Sequence, residues 1–105
     1  MIHDLTVEGL EARGAGEQPI IIDFFASWCG PCKMLAPIFE RVAEKCGDAA
    51  DFAKVDIDEQ PKLAEKFEIM TVPTIIALKG GEVFHKSSGI MNESALADLA
   101  ARIAE

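Results

Sequence analysis

Residues 20–33 read IIIDFFASWCGPCK, and they contain the strongest strand signal in the sequence and two of its three cysteines. It opens with a run of isoleucines and phenylalanines, Ile20–Phe25, broken by one carboxylate, Asp23. Continuous β-branched and aromatic residues are typical of a strand covered on both faces, as in a parallel sheet with helices above and below. Two cysteines follow at the end of this strand. The stretch therefore predicts a buried strand that delivers a pair of thiols to the start of a helix.

That helix is predicted from Pro31 to about Lys45, with Gly47 as its C-terminal stop. Its apolar residues recur at helical spacing, so one face packs on the sheet. They are Leu35, Ile38, Phe39, Val42 and Cys46.

Upstream, residues 1–5 are predicted as a short edge strand. Thr6 is a plausible N-cap for a first helix with Val7 and Leu10 on one face, and Gly14 and Gly16 close it. Residues 17–19 are predicted as a turn before the buried strand.

Downstream, strands are predicted at 51–57, 74–79 and 82–86, the last two joined by a Gly80-Gly81 hairpin turn. Pro61 begins a short helix, and Asn92 caps a final helix with Leu96, Leu99, Ala100 and Ile103 on its apolar stripe. The order β-α-β-α-β-α-β-β-α predicts an α/β fold with a mixed sheet and helices on both faces.

The bulk composition limits the function classes. The 105 residues suit a single domain spanning 1–105. A net charge of −8 argues against nucleic-acid or anionic-membrane partners, which require basic patches. No stretch approaches the roughly 20 apolar residues of a membrane span, and the first 17 residues lack the apolar region of a secretion signal. We therefore expect a cytoplasmic protein.

Cys29 and Cys32 are the candidate reactive groups. Thiolates attack disulfides, and a cysteine at a helix start faces unpaired N–H groups that favour the thiolate. Cys29 occupies that position, while Cys32 lies one turn further on and should be more buried. Gly30 and Pro31 leave no bulky side chain over the sulfurs, and Trp28 offers an apolar surface for a partner. The spacing predicts an attacking Cys29 and a resolving Cys32.

A zinc site is the alternative reading of the two cysteines. Tetrahedral zinc needs four ligands. The remaining candidates, Cys46, His3 and His85, are scattered without ligand spacing. We therefore predict no metal.

Asp23 lies in a strand that is otherwise apolar, so its carboxylate should be buried with a raised pKa. A costly buried acid near a dithiol is a candidate for proton transfer. We expect Asp23 to accept the proton of Cys32, directly or through a water. A structural carboxylate satisfied by Lys54 is the compatible alternative.

The motif Trp28-Cys29-Gly30-Pro31-Cys32-Lys33, with Asp23 upstream, Pro37 in the next helix and Val72-Pro73-Thr74 before a later strand, resembles the thioredoxin family over essentially the whole chain. The resemblance implies the thioredoxin fold, with about five strands and four helices. It also implies a protein-disulfide reductase that is recharged by an NADPH-dependent flavoprotein thioredoxin reductase. A monomer is the default oligomeric state. No Gly-rich dinucleotide fingerprint occurs, so we expect the chain to bind no nicotinamide itself, and we predict no cofactor.

The resemblance also assigns roles beyond the dithiol. A lone X-Pro bond is usually trans, but the matching family proline is cis and packs beside the dithiol, so Pro73 is expected to be cis. The backbone of Thr71 and Val72 is expected to pair with an extended substrate segment. Gly89 matches a glycine that allows a partner to approach closely, although a plain turn explains it nearly as well. Glu68 stands where family members often carry a glycine.

Two other functions stay open from the sequence. One is an oxidant or isomerase of the same fold, which the reduction potential distinguishes. The other is a non-enzymatic binding subunit, which would keep its effect after both cysteines are replaced by serine. Cys46, on the apolar stripe of its helix, is expected to be a small buried hydrophobe, with a regulatory thiol as the alternative.

Overall fold

A computed structural model describes residues 2–13 and 18–105. The strands are β1 (Ile2–Asp4), β2 (Ile20–Phe25), β3 (Asp51–Asp56), β4 (Thr74–Lys79) and β5 (Glu82–Ser88). The helices are α1 (Val7–Ala12), α2 (Gly30–Cys46), α3 (Pro61–Lys66) and α4 (Glu93–Ile103). The predicted order of elements is confirmed. The closing glycines of the first helix, Gly14 and Gly16, lie outside the described residues, as does Glu17.

The five strands form one mixed sheet in the order β1-β3-β2-β4-β5. Strands β1, β3 and β2 run parallel, whereas β4 is antiparallel to both β2 and β5. The mixed α/β sheet with four helices is therefore confirmed. Strand β2 lies at its centre, which explains why its sequence is apolar on both faces.

Alternation along β2 divides the core into two layers. Ile21 faces helices α2 and α4, where it packs with Leu35, Leu99 and other buried residues. Ile20 and Ile22 face the opposite side, which helices α1 and α3 cover. Helix α2 therefore lies on the face of the sheet that also receives Asp23, two residues after Ile21.

Several predicted boundaries were wrong by one or two residues. Helix α2 begins at Gly30, because the side chain of Cys29 caps it one residue earlier than expected, and it ends at Cys46. Strand β1 ends at Asp4. Strand β3 ends at Asp56. Strand β5 continues to Ser88, since Ser87 and Ser88 pair with Ile75 and Thr74 of β4. Within the described residues, no helix is long and apolar enough to cross a membrane.

Candidate active site

The two cysteines are joined by a disulfide at the start of α2, with their Cα atoms 5.3 Å apart. Cys29 is the N-cap residue, and its sulfur accepts a hydrogen bond from the backbone N–H of Cys32 at 3.2 Å. The expected contrast in burial is slight, since Cys29 is 6% exposed and Cys32 4%. One N–H group of the first helical turn thus points at the sulfur that the sequence predicts to attack.

Gly30 and Pro31 form the first turn of α2, and both are exposed. A Cβ added at Gly30 would meet no atom within 4 Å. The short segment between the cysteines therefore carries no bulky side chain, and the space around Gly30 is open.

Trp28 lies beside the disulfide with 69% of its surface exposed. Its indole Nε1 donates a hydrogen bond to Asp58 Oδ2 at 2.9 Å. Sequence reasoning missed Asp58, although a signal was available. It follows β3 just as Trp28 follows β2, and the carboxyl ends of adjacent parallel strands meet at one edge of a sheet.

The loop before β4 lies against the dithiol. The carbonyl oxygen of Val72 is 3.8 Å from Cys29 Sγ, and the Val72 side chain packs with Ala26 and both cysteines. The Val72–Pro73 bond is cis, as the resemblance implied. Thr71 is exposed, and its carbonyl accepts a hydrogen bond from the Thr74 hydroxyl at 2.7 Å.

Gly89 lies next to this loop, where its N–H donates to the carbonyl of Pro73 at 2.8 Å. Its φ is +92°, a conformation that favours glycine, and the space around it is open. Each of these two segments carries an exposed apolar side chain, Met70 shortly before Val72 and Ile90 just after Gly89. Sequence reasoning did not single them out, because exposure cannot be read from a loop sequence.

Asp23 is 5% exposed, and among residues 2–13 and 18–105 its Oδ1 atom has no hydrogen-bond partner. Burial raises the pKa of this carboxyl to about 7, against a smaller lowering by the Lys54 ammonium. A cavity of about 190 Å³ is lined by Asp23, Cys32 and Lys54 together with neighbouring residues. The structure therefore places a carboxyl group with a pKa of about 7 in the wall of the same cavity as Cys32.

The structural alternative for Asp23 was a direct pair with Lys54. Within residues 2–13 and 18–105, the carboxylate found within 4.0 Å of Lys54 Nζ belongs to Asp4 and not to Asp23. Lys54 therefore acts on Asp23 across a longer distance, through its field.

The other candidate metal ligands are apart from the dithiol. His3 Nε2 contacts Asp51, and His85 Nε2 contacts the hydroxyl of Ser87. In the part of the chain that the structure describes, no three His, Cys, Asp or Glu side chains come together as metal ligands would. Cys46 is half-buried and packs at the margin of the α2–α4 core, close to the expected small hydrophobe.

Comparisons with known proteins agree with this geometry. A sequence model of the thioredoxin family matches residues 5–102. The chain is 46% identical over 79 residues to a thioredoxin of Staphylococcus haemolyticus, covering 75% of this chain and 76% of that one. It is 42% identical over 83 residues to a thioredoxin of Bacillus subtilis, covering 79% and 80%. The crystal structure of Malassezia sympodialis thioredoxin superposes with a TM-score of 0.88 at 31% identity, covering 100% and 91% of the two chains.

Proposed function

Because the chain belongs to the thioredoxin family, we propose that it reduces disulfides in other proteins and is then recharged by a thioredoxin reductase. Dithiol–disulfide exchange through Cys29 and Cys32 is the reaction. The observation that carries the proposal is the disulfide between these residues at the start of α2, with Cys29 Sγ beside the Val72 carbonyl.

The exchange proceeds in two balanced steps. In the reduced protein, the Cys29 thiolate attacks one sulfur of a client disulfide, forms a mixed disulfide and releases the other client sulfur as a thiolate. The Cys32 thiolate then attacks Cys29 Sγ, which closes the intramolecular disulfide and expels the second client thiolate. Two electrons pass to the client. The structure corresponds to the oxidised product of this sequence.

Asp23 is proposed to accept the proton that Cys32 must lose before its attack. A base that titrates near the working pH combines a populated deprotonated form with adequate basicity. The shared cavity supports this role, because it gives room for transfer directly or through a water. Lys54, which also lines it, is proposed to stabilise the carboxylate once the proton is released.

The client is proposed to bind as an extended segment along the Thr71–Val72 backbone, between Trp28 and Gly89. The exposed Trp28 ring supplies apolar area, and the open space at Gly89 allows close approach. A groove of this kind recognises backbone more than side chains, which suits many different clients.

The partner and the compartment are part of the proposal. A flavoprotein reductase that draws on NADPH would return Cys29 and Cys32 to the dithiol state. Such a cycle requires surroundings that keep thiols reduced, so we place the protein in the cytoplasm, acting as a monomer.

Reduction of insulin tests the function directly. With NADPH and a bacterial thioredoxin reductase, we expect the chain to reduce insulin catalytically, measured as NADPH consumption. The Cys32→Ser variant should instead accumulate a stable mixed disulfide with insulin through Cys29, visible by mass spectrometry. A Cys46→Ser variant is the matched control and should retain activity. No NADPH consumption by the unaltered chain, with an active reductase present, would show the proposal to be wrong.

A further inference from the structure

Three charged side chains stand in one row across the sheet. In the pairing of β1 with β3, Asp4 is opposite Lys54, and in the pairing of β3 with β2, Lys54 is opposite Asp23. Residues in register on adjacent strands point to the same face. The row therefore reads carboxylate, ammonium, carboxylate, from the exposed edge strand to the buried centre of the sheet.

The Lys54 ammonium lies closer to the carboxylate of Asp4 than to that of Asp23. Its Nζ lies 4.0 Å from Asp4 Oδ1, whereas Oδ1 of Asp23 has no hydrogen-bond partner in the part of the chain that the structure describes. The Lys54 side chain is half-exposed, and that of Asp4 is 81% exposed. The ammonium is thus held toward the water-facing end of the row.

We propose that Asp4 is a positioning residue that acts on Asp23 through Lys54: its carboxylate holds the ammonium toward the sheet edge and so weakens the support that Lys54 gives to the charged form of Asp23. Strands lie roughly 4.8 Å apart, so Asp4 and Asp23 are separated by about 10 Å, close to the screening length of physiological salt. Direct repulsion between the two carboxylates is therefore small, and the effect passes through Lys54.

Other charged groups lie near this row of three residues but are not part of it. Those that share a cavity with Asp23 or Lys54 come from α2, β3 and the segments that follow them. They are Lys33, Glu40, Glu44, Asp48, Asp56 and Glu59. Lys54 is not within 4.0 Å of a carboxylate among the described members of this set.

This inference rests on the proposed proton-transfer role of Asp23 for its effect on catalysis. Its test does not depend on that role. The titration midpoint of the Asp23 carboxyl can be measured by carbon-13 NMR in the oxidised protein, where no catalysis occurs. At physiological ionic strength, where direct repulsion between the two carboxylates is screened, we expect Asp4→Asn to lower this midpoint by roughly 0.2–0.5 pH units, the size of an exposed ion-pair effect. Asp4→Glu should restore it.

Two controls separate this route from a general change in charge. Glu65→Gln removes an equal charge from exposed helix α3 on the opposite face and should leave the midpoint unmoved. In a Lys54→Gln background, Asp4→Asn should have no further effect. An unchanged or raised midpoint in Asp4→Asn, or a shift that persists without Lys54, would overturn the inference. If the midpoint falls but the pH profile of mixed-disulfide resolution does not follow it, the inference holds and the proton role of Asp23 is wrong.

Discussion

Asp23 is the residue at which stability and function are opposed. Its carboxyl is buried in β2, where one oxygen has no hydrogen-bond partner among the described residues, and burial raises its pKa to about 7. The unfolded chain releases this proton near pH 4, so between pH 4 and pH 7 the folded state holds more protons than the unfolded one. Stability from this group is therefore present below pH 4 and is lost as the pH rises through 7.

We expect Asp23→Asn to stabilise the protein at high pH, because the substitution removes the cost of a buried charge. The gain in free energy of unfolding should be about 2–4 kcal/mol at pH 8 and near zero at pH 4. Denaturant unfolding across this pH range measures it. The same variant should resolve the mixed disulfide at least about ten times more slowly at pH 7.

Asp98→Asn is the matched control for this substitution. Asp98 is exposed on α4 and pairs with Arg102, so its loss should change the free energy of unfolding by no more than about 0.5 kcal/mol at any pH. A stability gain in Asp23→Asn that does not depend on pH would contradict the buried-charge explanation. An unchanged resolution rate would contradict the proton-transfer role.

At the scale of single elements, helix α3 ends in a conformation that its sequence does not favour. Glu68 has a φ of +53°, although it is not glycine. The N–H groups of Glu68 and Ile69 bond back to the carbonyls of Glu65 and Ala64, which is a Schellman ending. The ammonium of Lys86 also binds the carbonyls of Phe67 and Glu68. These bonds hold a left-handed residue in place despite its Cβ.

Glu68→Gly should raise the free energy of unfolding by about 0.5–1 kcal/mol. Relief of the left-handed conformation is worth roughly 1–2 kcal/mol, and the greater freedom of glycine in the unfolded chain offsets part of it. Thermal and denaturant unfolding measure the change. Glu68→Ala also removes the carboxylate but retains a Cβ, so it should give no such gain. Equal gains in the two variants would show that charge, not backbone conformation, is responsible.

At the scale of the whole molecule, the site lies at a topological switch point of the sheet. Helix α2 follows β2 on one face of the sheet and α3 follows the neighbouring parallel strand β3 on the other, so the connections that leave these two strands separate at their carboxyl ends. Such a switch point leaves a crevice at the strand ends, and the dithiol occupies it. The cysteines pack in their own small cluster with Ala26, apart from the two large core layers.

This separation predicts that the core can be weakened without changing the chemistry. Leu99 on α4 is fully buried in the α2–α4 layer. We expect Leu99→Ala to lower the free energy of unfolding by about 2–5 kcal/mol, since it leaves a cavity. The rate of insulin reduction at 25 °C should stay within about twofold, because the cysteines belong to another cluster. Val83→Ala, at an exposed apolar position, should cost less than about 1 kcal/mol. A large loss of rate in folded Leu99→Ala protein would show that the layers are coupled.

Local patterns in the sequence were sufficient for the elements and for much of the site. Apolar runs and helical spacing are properties of neighbouring residues, so β2, α2 and the order of elements could be predicted from them. The two cysteines are three residues apart, and one helical turn brings them together without help from the rest of the fold. The burial of Asp23 followed from its apolar neighbours in one strand. The family resemblance added the expectation of a cis bond before Pro73.

Contacts between distant segments were decided only by the tertiary structure. Val72 meets Cys29, and Asp58 meets Trp28, because β4 and β3 flank β2 in the sheet. The row of Asp4, Lys54 and Asp23 depends on the register of three strands, and a shift of one residue would send a side chain to the other face. Register and strand order arise from packing over the whole chain. No local pattern encodes them, which is why the row of charges was not predicted. The Trp28–Asp58 contact was missed, and the loop at Val72 was expected beside the dithiol only through the family resemblance.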